Sequence, residues 1–170
     1  MARFDATTRA NLDLQGFAYL SDEEQAEYAW PLRFTPAVGT ALVAVGLVMQ
    51  SPLLLAVVCA AALSGALFPH AMAIDLAYNY GVRHLFGAPR LPGTPTPRRF
   101  SYLISTALLA GSTVSFTYGW TIPGWVLGGL VVVGGTILTS TLWCLGSWIF
   151  TVGKAAMPAI HPKWTLRSAR

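Results

Sequence analysis

Four long stretches of this chain contain no Asp, Glu, Lys, Arg or His: Phe34 to Gln50, Pro52 to Phe68, Phe100 to Trp120 and Ile122 to Val152. Such runs leave few folds open, because a helix on a water-soluble core needs one polar face and a membrane barrel strand needs strict alternation. At about 1.5 Å per residue, the 17 residues of each of the first two runs make about 26 Å, the short end for crossing a bilayer. The third has 21 residues and fits the ~20 that the hydrocarbon core demands. The fourth has 31, so it must tilt, protrude or break, and the expected place is Gly134-Gly135. Helices are the remaining way to satisfy a backbone in lipid. The expectation is an all-α membrane protein, with four transmembrane helices in two tandem hairpins.

Composition points the same way. Only 11% of the 170 residues are charged, less than half the ~25% of an average soluble chain, while 54% are hydrophobic. A soluble enzyme, a disordered tail and a nucleic-acid reader are all poor fits, and no basic run exceeds Arg98-Arg99. The two cysteines are too few for a disulfide framework or a four-cysteine zinc site.

All 11 Lys and Arg lie outside the apolar runs. Arg3, Arg9 and Arg33 precede the first; Arg83, Arg90, Arg98 and Arg99 separate the second and third; Lys154, Lys163, Arg167 and Arg170 follow the fourth. None falls in the turns around Ser51 and Thr121. The positive-inside rule then places both termini and the middle segment in the cytoplasm. The pI of about 9.4 is on this reading a topology signal.

Three parts are expected: an arm over 1–32, a membrane domain over 33–152 and a basic cytoplasmic tail over 153–170. The arm carries Arg3 and Arg9 against Asp5, Asp13, Asp22, Glu23, Glu24 and Glu27, and it lacks the apolar core of a cleavable signal. Ser21-Asp22-Glu23-Glu24 has the form of a capping box, which predicts a short helix from Asp22 towards Trp30, stopped at Pro31. The arm reads either as a solvated acidic extension or as a docking element for a basic partner.

The two hairpins repeat one another. Arg33-Phe34 followed by Thr40-Ala41-Leu42 matches Arg99-Phe100 followed by Thr106-Ala107-Leu108 at a fixed offset of 66 residues. The pattern sets Arg33 and Arg99 at the headgroups, Phe34 and Phe100 as interface anchors, and small residues where helices meet. These hairpins, Thr96-Pro97-Arg98-Arg99-Phe100 and Trp143-Cys144-Leu145-Gly146 resemble an uncharacterised bacterial family of small four-helix integral membrane proteins, over roughly residues 31 to 152. The resemblance implies the four-helix membrane domain and no established chemistry. Members often carry Cys-Leu-Gly-Cys where this chain has Cys144-Leu145-Gly146-Ser147, and Ser147 cannot resolve a mixed disulfide. With Cys59 expected in mid-span, both thiols read as packing residues.

Between the hairpins, Ala71 to Phe86 reads as an amphipathic helix lying at the interface, with Asp75, Asn79 and Arg83 in one stripe at i, i+4 and i+8. Tyr78, Tyr80 and Phe86 supply rings. His84 and His70 are weak candidates to ligate a tetrapyrrole metal; His70, His84 and His161 are scattered and no acidic residue lies within a span, so no other cofactor or metal is expected. Residues 88–97 hold four prolines and read as a stiff loop.

Gly124-x-x-x-Gly128, Gly135 and Thr139 put small residues at helical spacing on the last run, for close contact within the bundle or with another subunit. Trp120, Trp125, Trp143, Trp148 and Trp164 read as an anchoring belt. Apart from lipid, the expected partners are other membrane subunits. The expected role is a non-catalytic accessory or scaffold subunit of a larger bacterial membrane complex, such as a respiratory or photosynthetic reaction-centre assembly. The alternative is a small transporter or channel for a neutral solute, handled by Ser105, Thr106, Ser112, Thr113, Ser115 and Thr117. An enzyme is not expected, since acid, base and nucleophile are all missing from the spans.

Overall fold

The computed structural model describes residues 5–156, and every described element is helical. Arg3, His161, Lys163, Trp164, Arg167 and Arg170 lie outside the described residues, with all of the expected tail beyond residue 156. The arm forms α1 (Ala6–Leu12), which widens into a π-type turn over Asp13–Phe17, and α2 (Asp22–Tyr28). Both halves of the Ser21 capping box are made: the hydroxyl accepts from the Glu24 N–H, and the Glu24 carboxylate accepts from the Ser21 N–H at 2.8 Å.

Four apolar helices follow. They are α3 (Pro31–Val48), α4 (Pro52–Leu67), α7 (Thr96–Thr117) and α8 (Thr121–Thr141). Between them lie α5 (Ala73–Ala77), a π-type turn at Tyr78–Val82 and α6 (Arg83–Phe86), and the described chain ends with α9 (Leu145–Ala156). The helices α3 and α4 are joined by a turn closed by Ser51, whose hydroxyl accepts from the Leu54 N–H. The equivalent turn between α7 and α8 uses Gly119 at φ +75°, a left-handed conformation that glycine takes without strain.

Packing follows the repeat. Along most of their lengths α4 lies on α7 and α3 on α8, two interfaces that exchange with one another when the halves are swapped. Val43, Leu47, Leu55, Val58, Ala62 and Leu109 form the core they share. The outward faces are as apolar as the inward ones: Leu53 on α4 and Ile122 on α8 are more than three-quarters exposed. No water-soluble protein of this size tolerates so much exposed apolar surface, whereas a bilayer favours it. Residues 22–48, Thr96–Thr117 and Thr121–Thr141 are long and apolar enough to cross a membrane, and Pro52–Leu67 is a shorter apolar helix. The chain is built as a membrane protein.

Two expectations need correction. The last apolar run does not break near Gly134-Gly135; α8 runs through both glycines and ends at Thr141, and α9 begins only after Trp143 and Cys144. Gly135 stays helical because it lies directly against Thr40 of α3, a contact that a larger residue would block. The true break has a different cause. The hydroxyls of Thr139, Ser140 and Thr141 all bond back to carbonyls one turn earlier, which loosens a helix end, and the Thr141 hydroxyl also takes the Trp143 N–H. Leu142 then turns left-handed at φ +57°.

The second correction concerns the stripe of Asp75, Asn79 and Arg83. The π-type turn inserts extra rotation between residues 78 and 82, so the i, i+4, i+8 register is lost. Tyr78 is fully buried rather than interfacial, and buried Asn79 accepts the Leu91 N–H at 2.8 Å. Tyr80, Leu85 and Phe86 do face outward.

The arm is folded onto the bundle while its acidic side chains stay exposed. Leu12 and Phe17 are buried with Leu32, Tyr78, Leu91 and Leu142 in a second core, which closes one end of the bundle. Gln15 donates to the Leu142 carbonyl at 2.6 Å and Asn11 to the Thr141 carbonyl at 2.8 Å, so the arm's amides serve the carbonyls stranded by the helix break. Gly16, at φ +96°, lets the arm turn against Pro95 and Pro97, where a Cβ would stand 2.7 Å from the Pro95 side chain.

Candidate functional site

A group of polar side chains sits at the start of α7, beneath the arm, and links it to α3 and to the start of α9. Its centre is Arg98, in the first turn of α7 and only 5% exposed. The sequence explains one of its bonds. Pro36 has no N–H, so the Leu32 carbonyl one turn earlier in α3 has no helical donor; the Arg98 Nη2 supplies one at 3.3 Å. The Phe17 ring lies over the guanidinium, 5.8 Å from centroid to Cζ, and shields it on the arm side. The Arg98 Nε has no partner. Tyr102, one turn further along α7, lies beside the guanidinium.

Asp75 is near enough to feel that charge but forms no ion pair with it; its carboxylate instead accepts from the Thr35 hydroxyl. Among the described residues the one ion pair is Arg9 with Asp22 on the exposed arm, at 2.7 Å. Arg98 is therefore a buried cation without a contacting anion, an arrangement that costs free energy unless something compensates it.

The Trp143-Cys144-Leu145-Gly146 motif joins the same group. Ser101 bonds Cys144 Sγ at 3.0 Å and Ser147 Oγ at 3.2 Å. A Cβ on Gly146 would stand 2.8 Å from the Ser101 Cα, so glycine is what lets α9 lie directly on α7. The motif is a junction between two helices, with Cys144 nearly fully buried immediately before α9. Cys59 lies apart on α4, its thiol donating to the Thr106 carbonyl at 3.4 Å.

Behind this polar group a cavity of about 180 Å³ runs between α3, α4, α7 and α8. Val43, Val58, Leu109, Val131 and Leu138 give it apolar walls, and Thr35, Arg98, Ser101, Tyr102 and Cys144 form its polar end. Arg98 is the sole charged residue lining it among those described.

The other candidate residues fall elsewhere. Arg99 caps α4, with Nε to the Ala66 carbonyl at 2.9 Å and Nη2 to the Leu67 carbonyl at 3.1 Å, so its partner is a helix end. Arg33 makes no such bond. Phe34 packs on Tyr78 and Phe100 on Phe150, with ring centroids 5.2 and 5.6 Å apart. Gly124 lies on Phe116, Gly128 on Leu47 and Ser112, and Gly135 on Thr40, so all three glycines are used inside the bundle; the Thr139 hydroxyl bonds its own helix. His70 stands against Gly93 and lines a shallow hollow with Asp75, Asn79 and Arg90, while His84 is exposed on α6. The Arg83 Nε has no partner.

Sequence reasoning passed over Arg98 and Thr35, treating Arg98 as one of a basic pair. The signal available was Pro36, which leaves the Leu32 carbonyl without a helical donor just ahead of the first apolar run. Residues 30–154 match the model of a family described as Domain of unknown function (DUF4395). No curated protein and no solved structure matches the chain. The matched stretch takes in all four long apolar helices, the polar group around Arg98 and the Cys144 junction, and the chain belongs to this family.

Proposed function

We propose that the chain is a four-span protein of the bacterial cytoplasmic membrane, a non-catalytic accessory subunit that joins a larger membrane assembly through its folded arm. A respiratory or photosynthetic reaction-centre complex is the kind of assembly meant. On this reading α3, α4, α7 and α8 each cross once as two hairpins, with the arm, the α5–α6 segment and α9 on the cytoplasmic side. Support for that orientation comes from charge: Arg33, Arg83, Arg90, Arg98, Arg99 and Lys154 gather at the arm's end, and the turns at 49–51 and 118–120 carry none. The 16 residues of α4 span about 24 Å, which a locally thinned bilayer accommodates.

The observation that carries the docking role is the two-sidedness of the arm. Its inner face is fixed by Leu12, Gln15, Phe17 and Gln25, all buried, while Asp22, Glu23, Glu24 and Glu27 all face outward. An acidic surface held in place on a basic protein suits a basic partner surface, because the ordering cost is met before association. The transporter reading is weaker for a specific reason. Thr106, Ser115 and Thr117 bond carbonyls of their own helix and Ser112 bonds the Gly124 carbonyl, which leaves Ser105, on the cavity wall, and Thr113 as the hydroxyls of that set without such a bond.

Native gels of gently solubilised membranes test the proposal. Most of the protein should migrate with a larger particle, and the paired reversals Glu23→Lys and Glu27→Lys should release it while the isolated protein melts unchanged. A lone monomer in mild detergent, with every large complex intact in a deletion strain, would overturn the reading in favour of the transporter. Orientation is read separately with single cysteines in a cysteine-free background. Thr121→Cys should react with an impermeant reagent from outside and Arg90→Cys should not; Thr94 is unsuitable because it is only 6% exposed.

A further inference from the structure

We infer that the cavity between the four long helices is a binding site for one single-chain amphiphile with an anionic head, its head on Arg98 and its tail along the apolar walls. The volume of about 180 Å³ is room on the order of a dozen waters, yet most of the wall is aliphatic and gives water few partners. An apolar space of that size favours an apolar occupant. At its polar end stands Arg98, buried, without an ion pair, and with the Nε unpartnered. Asp75, the nearby carboxylate, is engaged by Thr35 and does not line the cavity. The cavity thus offers its occupant one positive charge that has no ion pair, and no negative one.

Charge and shape together choose the ligand. A neutral lipid would leave Arg98 without an ion pair, and a cationic amphiphile would add a second positive charge in a low-dielectric setting. A carboxylate or phosphate head accepts charge-assisted hydrogen bonds from the guanidinium, with Tyr102 and Ser101 beside it. The arm closes the site over the head through Phe17. That contact couples arm and ligand: an occupied Arg98 holds the ring's partner in place.

The test is equilibrium binding of radiolabelled dodecanoate to the full chain in phosphatidylcholine nanodiscs, with empty discs subtracted. Saturable binding at about one per chain is expected, with dodecanol ~10- to 100-fold weaker, the range that a charge-assisted hydrogen bond contributes. Dodecyltrimethylammonium should not compete. Arg98→Gln should lose the preference for the carboxylate over the alcohol, and Ser105→Phe, which fills the cavity away from the charge, should weaken both ligands alike. Displacement of dodecanoate by the single-chain lipid lysophosphatidylglycerol in wild type but not in Arg98→Gln would also support the site and make a lipid headgroup the source of the anion. Binding no greater than in empty discs, or equal affinity for dodecanoate and dodecanol in wild type, would overturn the inference even if Arg98→Gln fails to fold.

Discussion

The two halves of the membrane domain end differently, and the difference shows what the arm is for. Each half has a second helix whose last carbonyls need donors. At the end of α4 the donor is Arg99, the first-helix arginine of the other half, which reaches both Ala66 and Leu67. At the end of α8 the corresponding arginine, Arg33, plays no such part; Asn11 and Gln15 of the arm serve Thr141 and Leu142 instead. The α8 helix has 21 residues against 16 in α4, so its end projects past the reach that served the first half. A sequence repeat therefore does not carry its contacts with it. One half is closed from within the bundle, and the other borrows its closure from a segment outside the repeat.

The comparison is broken most strongly at Phe17. Truncation to Ala should cost ~3–5 kcal/mol, since the ring is buried and lies over Arg98, and thermal melting in detergent measures it. Melting within 1 kcal/mol of wild type would mean that the arm is not part of the closed end. Next come the paired arginines. Arg99→Ala removes two charge-assisted bonds and should cost ~1–2 kcal/mol, whereas Arg33→Ala should stay within ~0.5 kcal/mol. Equal losses would restore the symmetry that the structure denies. Gln15→Ala should have a more local effect: amide exchange should quicken at residues 143–146, at the junction of α8 and α9, well before α8 itself loosens.

The smallest effect concerns acid. The Ser21 N–H and hydroxyl hold the Glu24 carboxyl below its usual range. A carboxylate depressed in the folded state contributes stability above its unfolded pKa and loses it as pH falls through the folded value. The helix α2 should therefore fray only in acid below the ordinary Glu range, and Glu24→Gln should abolish that step. A titration of α2 amide shifts that is identical in wild type and Glu24→Gln would remove the capping box from the account.

How much of this could be read from residues alone depended on the distance over which each feature is determined. The apolar runs announced their helices because the absence of charge is a property of the run itself. The Ser21 box was legible for the same reason, both partners lying within four residues. The break after Thr141 was misplaced because glycine suggests a weak point, yet Gly135 is held by a neighbour 95 positions away. The run Thr139-Ser140-Thr141 was the better signal. Arg98 and Arg99 look alike in the sequence, but roughly 100° of helical rotation separates them, sending one into the cavity end and the other to the end of α4. No local pattern distinguishes two such neighbours; the helices around them do.

The bonds from Asn11 to Thr141 and from Gln15 to Leu142 join residues 130 and 127 positions apart. During synthesis the arm leaves the ribosome well before these partners. Seating the arm on Leu142 therefore has to wait until α8 has been made. Until then Leu12 and Phe17 lack their full complement of neighbours. A chain cut short before residue 141 would keep that surface open for chaperones and proteases, so arm closure doubles as a record that translation reached the last long helix.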